Sequence, residues 1–206
     1  IHARIFLMNK KMITLALGIT AFSSVPMMAQ AGSVEAGRDA FEACRGCHTS
    51  PSTSNVYPTY YVPKVGGQVA GYTVAALKAY QKSERPHRTM MANVYDLSDK
   101  TIEDIAAYLA TVTGSARASA NGGDAAKGKK LAESCMACHN DDTNAGVTNP
   151  RLAGQHQNYL EKAMQGYQSG ARKNALMQSM VQGLSEDEVK DIAAYFTSLK
   201  GLTAVK

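Results

Sequence analysis

Tryptophan is absent from the 206 residues, charged side chains make up only 19% of them, and phenylalanine occurs four times. So little charge, beside an apolar share of 45%, excludes a disordered polyelectrolyte. Long apolar runs are also missing beyond the first thirty residues, which excludes a membrane span in the body of the chain. No segment reads as a convincing strand, so the expected fold class is all-α.

The N-terminus has the layout of an export signal. Lys10 and Lys11 precede an apolar run from Met12 to Phe22, and Ala29-Gln30-Ala31 supplies small residues for cleavage near Ala31. A membrane anchor is the rival reading, but the run falls short of the roughly 20 residues a span requires. The mature chain is therefore expected in the periplasm, starting near Gly32. Removing residues 1–31 takes away Arg4, Lys10 and Lys11, so 22 basic residues become 19 against 17 acidic ones. Net charge drops from +5 to +2, and the case for a nucleic-acid partner largely goes with it.

An internal repeat organises the rest. Pro63–Val112 laid over Pro150–Leu199, at a constant offset of 87, gives 17 identities in 50 positions without a gap. Pro63 meets Pro150, Gly67 meets Gly154, Gln68 meets Gln155, Tyr72 meets Tyr159 and Tyr80 meets Tyr167. Arg85, Met90 and the Ile105-Ala106-Ala107-Tyr108 run find Arg172, Met177 and Ile192-Ala193-Ala194-Tyr195. Upstream the offset becomes 91, because the loop from Thr49 to Val62 is four residues longer than its counterpart. That loop is rich in Pro, Ser, Thr and Tyr and is expected to be irregular. The expected layout is a signal over 1–31, a first domain over 32–113, a linker over 114–123 and a second domain over 124–206.

Each half predicts three helices: Glu35–Cys44, Val69–Lys82 and Asp99–Val112, then Ala125–Cys135, His156–Gln168 and Glu186–Leu199. Ser185 with Glu188 forms a capping box for the last. Ser98 caps its counterpart, but Thr101 stands where the Glu would be.

All four cysteines fall in two C-x-x-C-H motifs, Cys44-Arg45-Gly46-Cys47-His48 and Cys135-Met136-Ala137-Cys138-His139. Two thiols about one helical turn apart can add to the two vinyl groups of a haem, and the adjacent histidine is then aimed at the iron. Paired disulfides or a zinc site leave the recurring histidine unexplained, and a thioredoxin-like redox pair wants a preceding strand. Two covalent haem c groups follow.

The other axial ligand decides between a carrier and an enzyme, because an open iron admits small molecules. Ten methionines are present, yet Met90 with Met177 is the only position downstream of the motifs where both halves carry one. Met91, Met164 and Met180 face Gln178, Leu77 and Asn93, and the rival histidines His87 and His156 face Asn174 and Val69. The expected iron ligands are His48 with Met90 and His139 with Met177. Pro63 and Pro150 could offer a carbonyl to the axial histidine's ring N–H, or be simple turn prolines. Arg85 and Arg172 could pair with haem propionates, or be solvated surface arginines. Tyr72, Tyr80, Tyr159 and Tyr167 are expected to pack along the haem edge.

These residues resemble the dihaem cytochrome c4 family: the two C-x-x-C-H motifs, the P-K/R-x-x-G-Q segment, and the M-x6-L-S run into a helix ending I-A-A-Y. The resemblance covers essentially the whole mature chain. It implies two tandem cytochrome c-like domains facing each other, two low-spin His/Met haems, and a periplasmic shuttle passing electrons towards a terminal oxidase. The expected partners are redox proteins, a quinol–cytochrome c reductase or a small copper protein upstream and the oxidase downstream, with peripheral association at the inner membrane. The Tyr- and Ser-rich stretch after His48 departs from the family pattern. A thiosulfate dehydrogenase or dihaem peroxidase would need a Cys ligand or an open iron. A cytochrome subunit of a larger dehydrogenase, such as flavocytochrome c sulfide dehydrogenase, stays open as an alternative.

Overall fold

Helix α1 (Val34–His48) begins at Ser33, whose hydroxyl accepts from the Ala36 N–H, and ends on the first cysteine motif. A computed structural model describes residues 32–56, 58–114, 120–140 and 148–205. The expected signal and its cleavage point, and the middle of the expected linker, lie outside them.

After α1 the loop contains an element that the sequence does not announce. Ser54–Asn55 (β1) and Tyr60–Tyr61 (β2) pair as a two-residue antiparallel hairpin. This corrects both the expectation of no strand and that of an irregular loop. Local bonds close the turn: Asn55 Nδ2 donates to the Pro58 carbonyl at 2.8 Å and Thr59 Oγ1 to that of Val56 at 3.0 Å.

Helices α2 (Ala70–Gln81), α3 (Arg88–Val94) and α4 (Asp99–Thr111) complete the first half. The second half runs α5 (Ala125–Leu131), α6 (Met136–His139), α7 (Gln157–Gln168), α8 (Ala175–Val181) and α9 (Glu186–Ser198). The helix expected to reach Cys135 stops at Leu131. Tighter i→i−3 bonds, such as Cys135 N–H to the Ala132 carbonyl at 3.0 Å, carry the chain into α6 instead. Helices α3 and α8 were not expected, and they carry Met90 and Met177. The Ser185–Glu188 capping box is present in full, and Ser98 caps α4 without its reciprocal partner.

In each half the first and last helices cross where a glycine allows backbone contact. A Cβ added at Gly37 would sit 1.9 Å from the Asp104 carbonyl oxygen, and one at Gly128 would sit 1.9 Å from that of Asp191. The same two aspartates pin the entry to the first helix: Asp104 Oδ1 accepts from the Ser33 N–H, and Asp191 Oδ1 from the Asp124 N–H, both at 2.6 Å. Phe41, Ile105 and Leu109 form one buried core, and Ala132, Leu160, Ile192, Ala193 and Phe196 the other.

The halves are not self-sufficient. The C-terminal tail returns to the first half, where Gly66 and Thr203 exchange backbone bonds of 2.9 and 3.1 Å and the fully buried Val205 packs against Phe41, Ile105 and Leu109. Residues Ala31–Lys206 accordingly form one compact unit. The β-hairpin also crosses to the second half: the Tyr61 N–H donates to Asn158 Oδ1 at 3.2 Å, and the Tyr61 ring lies 5.0 Å from that of His156.

His156 is 7% exposed at the start of α7. Burial, aided by the nearby Lys64 ammonium, brings its pKa down to about 4. Between the ordinary histidine value and about 4 the unfolded chain takes up a proton that the folded one refuses, so stability falls as pH falls through that window. The loss is at most ~3 kcal/mol. His156→Val, which installs the residue of the matching Val69 position, should flatten the pH dependence of denaturant midpoints between about pH 6.5 and 4. An unchanged slope in that variant would remove His156 as its source.

Candidate haem sites

The last turn of α1 brings Cys44, Cys47 and His48 to the lining of a cavity, and the turn through α6 brings Cys135, Cys138 and His139 to the same cavity. The cavity is continuous between the halves and encloses about 1050 Å³. That lies at the upper end of the roughly 300–1,000 Å³ of an ordinary ligand pocket. All twelve residues singled out from the sequence line it: the four cysteines, His48, His139, Met90, Met177, Pro63, Pro150, Arg85 and Arg172.

None of the four cysteines is in a disulfide, with Cys44 and Cys135 half-buried and Cys47 and Cys138 exposed. Burial raises the pKa of the Cys44 and Cys135 thiols, so both stay protonated near neutrality. Among the described residues no three His, Cys, Asp or Glu side chains converge as a zinc site would require.

His48 and His139 are 9% and 8% exposed. Their Nδ1 atoms lie 3.0 Å from the Pro63 carbonyl and 2.9 Å from the Pro150 carbonyl. A carbonyl only accepts, so each Nδ1 carries the proton and each Nε2 keeps a free lone pair. Burial lowers the pKa of both imidazoles, against the opposing pull of those carbonyls, and keeps them neutral at physiological pH. A neutral imidazole oriented at its far nitrogen is the form that ligates a metal.

Met90 and Met177 sit on α3 and α8, and both helices are capped in the same way. The Met90 N–H donates to His87 Nδ1 at 3.2 Å and the Met177 N–H to Asn174 Oδ1 at 2.9 Å. His87 is thus the positional partner of Asn174 as a helix cap, and its Nδ1 is committed to that bond. Gln81 and Gln168 tie each short helix to the one before it. Gln81 Nε2 donates to the carbonyls of Val94 and Leu97, and Gln168 Nε2 to those of Val181 and Leu184, at 2.8–2.9 Å. Gln81 and Gln168 match at the same offset of 87 in the repeat. Met91 and His156 do not line the cavity, whereas Met164 and Met180 do.

The arginines meet at the interface with the tyrosines. Arg85 stacks 4.6 Å over Tyr80 and donates to the hydroxyls of Tyr72 (3.2 Å) and Tyr159 (2.5 Å). Arg172 stacks 4.6 Å over Tyr167 and donates to Tyr72 at 2.8 Å. Burial disfavours a Tyr72 phenolate, but the two guanidiniums outweigh it and bring the pKa to about 8. Two half-buried cations whose partners are phenols rather than carboxylates suit an anionic group in the cavity.

Donor set, carbonyl-oriented histidines, paired thiols and a cationic wall together fit a covalently attached haem in each half. The known proteins agree. The cytochrome c family model matches residues 34–113 and again 125–200. Cytochrome c4 of Stutzerimonas stutzeri is 40% identical over 93% of this chain and 100% of its own. The solved cytochrome c4 of Acidithiobacillus ferrooxidans superposes with a TM-score of 0.66 at 28% identity, covering 77% of this chain and 99% of that one. A thiosulfate dehydrogenase structure from Marichromatium purpuratum gives 0.69 at 27% identity, covering 81% of this chain and 40% of that one. The chain belongs to the cytochrome c family, in its dihaem cytochrome c4 branch of electron carriers, with a C-x-x-C-H haem site in each half.

Proposed function

We propose that this chain is a periplasmic respiratory shuttle whose two irons are closed by His48 with Met90 and His139 with Met177, and which passes electrons towards a terminal oxidase. One observation supports this above the others: both carbonyl-oriented histidines and both methionines that match in the repeat line a single cavity. When bound, the haems supply irons that cycle between ferric and ferrous. The chain's part is to hold them. The Cys44, Cys47, Cys135 and Cys138 thiols would hold them as thioethers, each S–H adding across one vinyl group. The Pro63 and Pro150 carbonyls accept hydrogen bonds from the histidine ring N–H groups, the methionine sulfurs would exclude other ligands, and Arg85 and Arg172 would offset propionate charge.

The halves divide at the 114–123 linker, and export through the 1–31 signal places the protein in the periplasm. No helix among the described residues is long and apolar enough to cross a membrane. A second reading, acceptor cytochrome for a dehydrogenase, draws on the likeness to the thiosulfate dehydrogenase structure. It keeps the same two closed irons and changes only the donor. Carbon monoxide added to the ferrous protein should leave the visible spectrum unchanged, and an adduct at either iron would overturn the carrier reading in favour of an enzyme.

A further inference from the structure

The P-K/R-x-x-G-Q segment of each half spends its polar groups on the other half. Gln155 Oε1 accepts from the Lys64 N–H at 2.9 Å and Gln155 Nε2 donates to the Lys64 carbonyl at 2.9 Å. Reciprocally, Gln68 Oε1 accepts from the Arg151 N–H at 2.8 Å and its Nε2 donates to the Arg151 carbonyl at 3.2 Å. Both glutamines are buried, at 4% and 6% exposure. Their amide orientation is fixed by partners that can only donate or only accept.

The Lys64 N–H and the Pro63 carbonyl belong to one peptide unit. Gln155 of the second half holds its N–H end, while His48 Nδ1 holds its C=O end at 3.0 Å. The Pro150–Arg151 peptide is bonded in the same way, between Gln68 of the first half and His139 at 2.9 Å. A peptide whose N–H donates is polarised towards its oxygen and becomes a better acceptor. A stronger acceptor draws the ring proton, makes the imidazole more electron-rich, and stabilises the ferric over the ferrous state.

We propose that Gln68 and Gln155 are crossed positioning residues, each tuning through a shared peptide the axial histidine of the opposite half. Gln155 acts on His48 and Gln68 on His139. This rests on the reading that those histidines are iron ligands. Cooperative strengthening of roughly 10–30% per bond is small against the whole bond, yet enough for about a twofold change in the ferric-to-ferrous ratio at fixed ambient potential. Twofold corresponds to about 18 mV.

The test uses the haem-loaded protein. Gln155→Met keeps bulk and removes the acceptor. In the ferrous state the His48 Nδ1 proton, followed by NMR, should exchange with solvent at least about twofold faster, and the ferric-to-ferrous ratio of the first-half haem should fall about twofold. The His139 proton should be unmoved. Gln68→Met should do the converse, and carries the test if the first variant loses its haems. Lys64→Met breaks a different cross-interface bond, Lys64 Nζ to the Gly154 carbonyl at 2.6 Å, while leaving the Lys64 N–H in place. It should leave the His48 proton's exchange unchanged, which general loosening of the interface would not do. Equal changes in both histidine protons, a change confined to the mutated half, or no change overturns the proposal. Failure of the ligand assignment would show separately, in the wild-type protein, as the absence of slowly exchanging, haem-shifted histidine ring protons.

Discussion

Alanine at Met177 is expected to lower the potential of one haem by at least ~100 mV, a modest part of the roughly 0.8 V that axial ligation spans. A thioether favours ferrous iron, so its loss stabilises the ferric state, and the vacated position binds carbon monoxide. Half of the protein's haem should respond, because the halves carry separate methionines on α8 and α3. Met90→Ala should produce the same change in the other half. Met91→Ala should produce neither, since Met91 does not line the cavity. A potential drop in the Met91 variant would mean that the register of the repeat assigns the wrong sulfur. Redox titration of the three variants, each with and without carbon monoxide, reads all of this.

The largest loss of stability is expected at the helix crossings. A methyl group at Gly128 would lie 1.9 Å from a backbone oxygen of α9, far inside any real contact, and the obstacle is main chain that cannot rotate away. Relief requires α5 to move off α9, and α5 leads directly into the cysteine motif. Gly128→Ala should therefore cost about 3 kcal/mol, near the upper end of overpacking penalties. Melting should fall by roughly 6–12 °C for a chain of this size. Gly37→Ala makes the same collision in the first half. Gly46→Ala is the control, since nothing lies within 4 Å of a Cβ there. Thermal unfolding of the haem-loaded variants decides it, and a shift at Gly128 no larger than at Gly46 would contradict the close crossing.

Much of this was legible in the chain because the duplication supplies its own comparison. The three principal helices of each half follow from apolar spacing, and they lie within a few residues of expectation except where the turn before Cys135 tightens. The register singles out Met90 and Met177 from ten methionines, and both line the cavity, as do Met164 and Met180. What stayed hidden has physical reasons. Helices α3 and α8 are seven residues each, too short for a periodic signal. Their caps are chemically different, His87 and Asn174, so an alignment by identity shows a mismatch where the function is the same. The roles of Gln68, Gln155, Arg85 and Tyr72 lie in bonds between residues 74 to 100 apart, and no local pattern reports such contacts. The insertion of Val205 into the first half's core is of the same kind.

Ligation of both irons by histidine and methionine is tested most directly by the near-infrared spectrum of the oxidised wild-type protein. A thioether bound to ferric haem gives a weak sulfur-to-iron charge-transfer band. Its intensity per chain, set against the haem content, should correspond to two such sites. Intensity for one site, or a high-spin ferric signal in its place, would contradict closed coordination at both halves.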